Sequence, residues 1–90
     1  MPISRTLTII NTRGLHARAS AKFVECVETH DASATVSRDG QSVGGDSIMG
    51  LLMLAAAKGC DIDVTCDGPE AEALMNCLSS LVETKFGEES

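Results

Sequence analysis

Residues 61–82, DIDVTCDGPEAEALMNCLSSLV, change their rhythm halfway along. In the first part Ile62, Val64 and Cys66 alternate with Asp61, Asp63 and Thr65, which is the period of a strand with one buried side. Asp67-Gly68-Pro69 closes that strand, and Pro69 suits the first position of a helix. Glu70 and Glu72 then sit well against the positive end of a helix dipole. Beyond them Ala71, Leu74, Met75, Leu78, Leu81 and Val82 recur at helical spacing, with Phe86 extending the stripe. A one-sided strand running straight into a one-sided helix calls for a sheet covered by helices on one face and open to solvent on the other.

Upstream, the same pairing of rhythms recurs. Ile3, Leu7 and Ile9 alternate with Ser4, Thr6 and Thr8, giving a strand over Ile3–Ile10 that Asn11 to Gly14 interrupt. From Ala17 the apolar positions Ala17, Ala21, Phe23, Val24 and Val27 fit one helical face, leaving Lys22, Glu25 and Glu28 for solvent. This helix begins directly after His16 and ends near His30-Asp31, where His30 interacts well with the dipole. Ala34, Val36 and Arg38 alternate with Thr35 and Ser37 up to Asp39-Gly40, a dipeptide suited to a type I′ turn, and Gln41 to Val43 form the return strand. After the Gly44-Gly45-Asp46 loop, Ser47 caps a helix carrying Ile48, Leu51, Leu52 and Ala55, with Gly59 as its stop. Glu88-Glu89-Ser90 reads as a frayed tail. The expected order is β-α-β-β-α-β-α, an α+β, two-layer sandwich in a single domain over residues 1–90.

Composition bounds the function. Only Phe23 and Phe86 are aromatic, so Leu, Ile, Val, Met and Ala must build the core. The net charge of -6 argues against nucleic acid and against anionic membranes, both of which are held by clustered Lys and Arg. Its distribution is uneven. Before Glu25 stand Arg5, Arg13, Arg18 and Lys22 with no acid, whereas from Asp61 onward eight acids face Lys85 alone. No apolar stretch approaches the ~18 residues of a membrane span, and the N-terminus lacks the apolar segment of a secretion signal, so a cytoplasmic location is expected. Cys26, Cys60, Cys66 and Cys77 contain no CxxC pair and read as reduced, small apolar residues; neither metal nor cofactor is expected.

Residues 11–20, NTRGLHARAS, place a histidine where a loop becomes a helix, between two arginines. The first turn of a helix has unpaired N–H groups and the positive end of the dipole, so a phosphate on His16 needs no metal there. Imidazole is a nucleophile near neutral pH. Arg18 can fork onto phosphate oxygens and Arg13 adds charge, which suits a transfer governed by positioning and neutralisation. Read alone, His16 equally fits a solvated residue at a helix start.

Gly14-Leu15-His16-Ala17-Arg18, with Ser47-Ile48-Met49-Gly50 opening a second helix, resembles the HPr family, the histidine-containing phosphocarriers of the bacterial phosphoenolpyruvate-dependent phosphotransferase system. The resemblance spans essentially the whole chain. It implies an open-faced β-sandwich with a four-stranded antiparallel sheet and three helices on one face. It also implies that His16 accepts a phosphoryl group on Nδ1 from enzyme I and passes it to an enzyme IIA-type protein, with Arg18 as phosphate partner. Such a chain is a carrier rather than an enzyme and is expected to be monomeric; sugar transport and nitrogen regulation are both open as destinations. Ser47 resembles the serine that an HPr kinase/phosphorylase modifies. Leu15, Ile48, Met49 and Leu52 form a candidate apolar docking patch, Leu52 fitting the core as well. Two positions depart from the pattern: Ala19 stands where Pro is common, and Asp46 puts a charge beside Ser47. Two other readings compete with phosphotransfer. One is an interaction module in which His16 only starts a helix; the other is a metal-binding ferredoxin-like domain using the cysteines.

Overall fold

A computed structural model describes residues 2–90. The chain runs β1 (Ile3–Thr8), α1 (Ala17–Glu28), β2 (Ser33–Arg38), β3 (Gln41–Gly44), α2 (Ile48–Met53), β4 (Asp61–Asp67) and α3 (Ala71–Glu83), followed by a short turn at Lys85–Gly87. The four strands form one sheet in the order β1-β4-β2-β3, and every neighbouring pair is antiparallel. Register explains the two faces. Leu7 opposite Ile62, and Val36 opposite Val64, put the apolar alternation of three strands on one side. The other side is a polar lattice in which Thr6 donates to Asp63 (2.7 Å), Thr8 donates to Asp61 (2.6 Å) and Ser37 meets Ser42 (2.7 Å). The three helices cover the apolar side, with Phe23, Leu74, Leu78 and Phe86 fully buried among the strand residues. Each such side chain contributes about 1.5–3 kcal/mol by leaving water. Among the described residues no helix is long and apolar enough to cross a membrane.

Several local readings shift. On α1 the buried face is Ala19, Ser20, Phe23, Val24 and Val27, while Ala17 and Ala21 are exposed. Positions 19, 20, 23, 24 and 27 fall on one face at about 100° per residue, and Ala17 and Ala21 lie roughly 90° and 130° round from its centre. Pro69 stands outside α3, which begins at Ala71. Glu70 takes the cap position because its carboxylate accepts from the Asp31 amide (2.6 Å), while its own N–H donates to Asp31 O (3.0 Å). Helix α2 ends at Met53, well before Gly59, because Ala55 turns left-handed at φ 52° and Arg38 donates to Leu54 O at 2.9 Å.

The most consequential shift is at the end. Phe86 is buried, but not as a continuation of α3, which stops at Glu83. Lys85, Phe86 and Gly87 instead adopt φ of 58°, 54° and 78°, a left-handed turn. Non-glycine residues enter that region at roughly 1–2 kcal/mol each, a cost that burial of the Phe86 ring offsets. The turn sends residues 88–90 back across the start of α1.

Candidate functional site

The loop before α1 is held against the turn that follows α2. Gly14 has φ 65°, and a Cβ there would stand 2.4 Å from Ala56 O, so no side chain fits. Next to it the Leu15 amide donates to Ala56 O at 2.9 Å. This approach turns Leu15 inward: it is 4% exposed and belongs to the core, and its place in an exposed docking patch is corrected accordingly.

His16 follows as the N-cap residue of α1, with extended backbone and no hydrogen bond from its ring to the helix. The first intrahelical bond runs from the Ser20 N–H to His16 O at 2.8 Å, so the amides of Ala17, Arg18 and Ala19 lie in the unpaired first turn. The ring is half-buried, and its Nε2 meets the Glu88 carboxylate. Asn11, itself buried, donates through Nδ2 to the other Glu88 oxygen at 3.1 Å and to Gly14 O at 2.9 Å. The hydrogen bond with His16 first, and that from Asn11 second, hold the Glu88 carboxyl below the usual carboxylate range. A carboxylate can only accept, so Nε2 is the N–H donor in this contact and, in the neutral ring, Nδ1 carries the lone pair; among the described residues nothing hydrogen-bonds to Nδ1.

Beside this contact lies a cleft of about 390 Å³ lined by Thr12, Arg13, Arg18, Lys22 and the tail from Gly87 to Ser90. Arg18 and Lys22 share a face of α1, one turn apart. Lys22 donates to Phe86 O at 2.5 Å, and the Thr12 amide donates to Ser90 O at 3.1 Å, which together lay the tail along the cleft. Neither Arg13 nor Arg18 takes part in a hydrogen bond or ion pair among the described residues, so both guanidinium groups are uncommitted. Arg5, the remaining cation of the basic N-terminal stretch, points elsewhere and donates to Ser79 Oγ at 2.8 Å. No group of three or more His, Cys, Asp or Glu side chains is placed to hold a metal ion among the described residues.

Glu88 and Asn11 were invisible to sequence reasoning. The tail read as frayed because nothing in Glu88-Glu89-Ser90 announces a partner; the one available signal was Gly87 behind an aromatic residue, which permits a reversal of the chain.

At the second motif, Ser47 is the N-cap residue of α2, and its Oγ accepts from the Gly50 amide at 3.0 Å. Ile48 and Met49 are exposed, Met49 at 69%, and Leu52 is half-buried. Met53, at 66% exposure, adds a large apolar residue to this helix that the motif did not single out. His30 remains apart from both regions, its Nδ1 contacting Cys26 O at 2.7 Å near the end of α1.

Comparison with known proteins agrees with this layout. The family model "PTS HPr component phosphorylation site" matches residues 3–84. The chain is 42% identical to the phosphocarrier protein HPr of Cupriavidus necator over 96% of its length and 97% of that protein's. It is 35% identical to the phosphocarrier protein NPr of Shewanella violacea, covering 98% and 97% of the two chains. The crystal structure of HPr-C-His from Thermoanaerobacter tengcongensis superposes with a TM-score of 0.93 at 34% identity, covering 98% of this chain and 99% of that one. Residues, fold and relatives converge: the chain belongs to the HPr family of phosphocarriers of the phosphotransferase system.

Proposed function

We propose that His16 Nδ1 is the atom that takes and gives the phosphoryl group, receiving it from phosphorylated enzyme I and yielding it to an enzyme IIA-type protein. The observation that carries this reading is the His16–Glu88 contact at the open end of α1. A carboxylate on Nε2–H leaves the Nδ1 lone pair for attack and stabilises the positive charge that grows on the ring as the new N–P bond forms and the donor's bond to phosphorus breaks. The Nε2 proton stays where it is. Arg18 and Arg13, with the first-turn amides of α1, neutralise the phosphoryl oxygens. Glu88 is a positioning residue in this scheme and Asn11 aims its carboxylate.

Ser47 is a regulatory phosphorylation site for an HPr kinase/phosphorylase on this reading, and Ile48, Met49 and Leu52 belong to the docking surface for partners. A phosphate on Ser47 adds about -2 charge at a helix start, which the dipole tolerates, so it alters docking rather than folding. The carrier works in the cytoplasm as a monomer whose partners bind and leave quickly, since tight binding would slow the relay.

Incubation with enzyme I and labelled phosphoenolpyruvate tests the reading. One acid-labile, base-stable phosphate per chain is expected, lost in His16→Ala. Labelling that survives His16→Ala overturns it.

A further inference from the structure

Two of the four cysteines, far apart in sequence, meet in the fold. Cys26, on the last turn of α1, and Cys77, midway along α3, bring their Sγ atoms to 2.7 Å where the two helices pack. Both are free thiols and only half-buried, so small reagents reach them. The other two cysteines are occupied: Cys66 is sealed in the core, and Cys60 Sγ accepts from Arg38 Nη2 at 3.3 Å. The phosphate relay uses none of the four.

We propose that Cys26 and Cys77 are an oxidisable pair that closes to an intramolecular disulfide, with a small-molecule disulfide as electron acceptor, pinning α1 to α3. The backbone at Cys26 is already fixed, because its carbonyl accepts from Thr29 Oγ1 at 3.0 Å and contacts His30 Nδ1 at 2.7 Å. Closing the bond brings the two Sγ atoms from 2.7 Å to the roughly 2.05 Å of a disulfide. Burial, and then the neighbouring Cys77 sulfur, push the Cys26 thiol up to about 12, which makes Cys26 a poor first attacker at neutral pH.

Cys77 opens the exchange. Its thiolate attacks one sulfur of the small disulfide, and one small thiolate leaves. Cys26 then gives up its proton, attacks the Cys77 sulfur and expels the small thiolate bound there. Two protein thiols lose two electrons and two protons, and the small disulfide becomes two thiols.

The staple lies ten residues along α1 from His16, about 15 Å at the helical rise, so its effect is on folding rather than on transfer. It ties together residues 51 apart and removes that loop's freedom from the unfolded chain.

Treatment of the native chain with oxidised glutathione, followed by alkylation and peptide mapping, tests the pair. The expected product is a monomer two mass units lighter with Cys26 joined to Cys77, and a Tm raised by roughly 15–30 °C, reversed by dithiothreitol. Phosphate acceptance at His16 is expected to be equal in the two forms. The same treatment of Cys77→Ser should leave Tm unchanged. Separate glutathione adducts on Cys26 and Cys77, a bond between other cysteines or between chains, or a cross-link without a rise in Tm overturns the proposal. The mapping on the unaltered chain decides the matter even if Cys77→Ser folds poorly, and neither the cross-link nor the rise in Tm depends on whether His16 carries phosphate.

Discussion

Two of the three helices of this protein, α1 and α2, use the polar side chain at their cap in opposite ways. At α2 the Ser47 hydroxyl turns inward and accepts from the Gly50 amide, so the residue holds its own helix. At α1 the His16 ring makes no bond to its helix and is held instead from outside, by Glu88. The surroundings differ in sign as well: Arg13, Arg18 and Lys22 border the first site, whereas Asp46 precedes the second. A cap withheld from its helix keeps a reactive atom free. A cap spent on its helix contributes stability, and a phosphate placed on it would have to replace a bond already made.

That contrast breaks most sharply at His16. His16→Ala should abolish phosphate acceptance while lowering Tm only by what the Glu88 contact contributes, less than at Ser47, since no cap bond is lost; calorimetry beside the labelling assay measures both. Arg18→Ala removes a charge-assisted contact of the kind worth about 1.5–3 kcal/mol, so transfer from enzyme I should slow by roughly 10- to 100-fold in rapid-quench kinetics. At the other cap the pattern reverses. Ser47→Ala should cost about 1 kcal/mol, seen as a Tm drop of roughly 4–8 °C, with labelling of His16 retained.

The Glu88 contact should show in the pH dependence of stability. Its carboxyl titrates lower in the folded chain than in the unfolded one, so the stabilisation it gives is complete above the ordinary carboxylate range and disappears as pH falls through its lowered value. Glu88→Gln should flatten that acid limb in a series of urea titrations. A limb equally steep in Glu88→Gln would mean the tail does not hold His16 in solution. This is the smallest of the four effects, because the group is only half-buried.

The residues that were legible beforehand obey local rules. The alternation of Ile62, Val64 and Cys66, the stripe from Leu74 to Val82 and the cap at Ser47 each follow from neighbours a few positions away, and all appear in the fold. That His16 and Arg18 stand at the start of α1 was legible because a helix start has its own signature. Leu15 was misjudged because its inward turn depends on Gly14 meeting Ala56, more than forty residues on. Glu88 escaped for a similar reason. Lys85 and Phe86 have no intrinsic preference for the left-handed region, and only burial of the Phe86 ring in a finished core commits them to it. The Cys26–Cys77 meeting depends likewise on how two helices pack.

The most direct test of the account is the position of the phosphoryl group on the ring. With the imidazole of His16 labelled with 15N and the chain phosphorylated by enzyme I, a one-bond 15N–31P coupling should appear at Nδ1. Coupling at Nε2, the nitrogen that Glu88 holds, or phosphate on any other residue would contradict it.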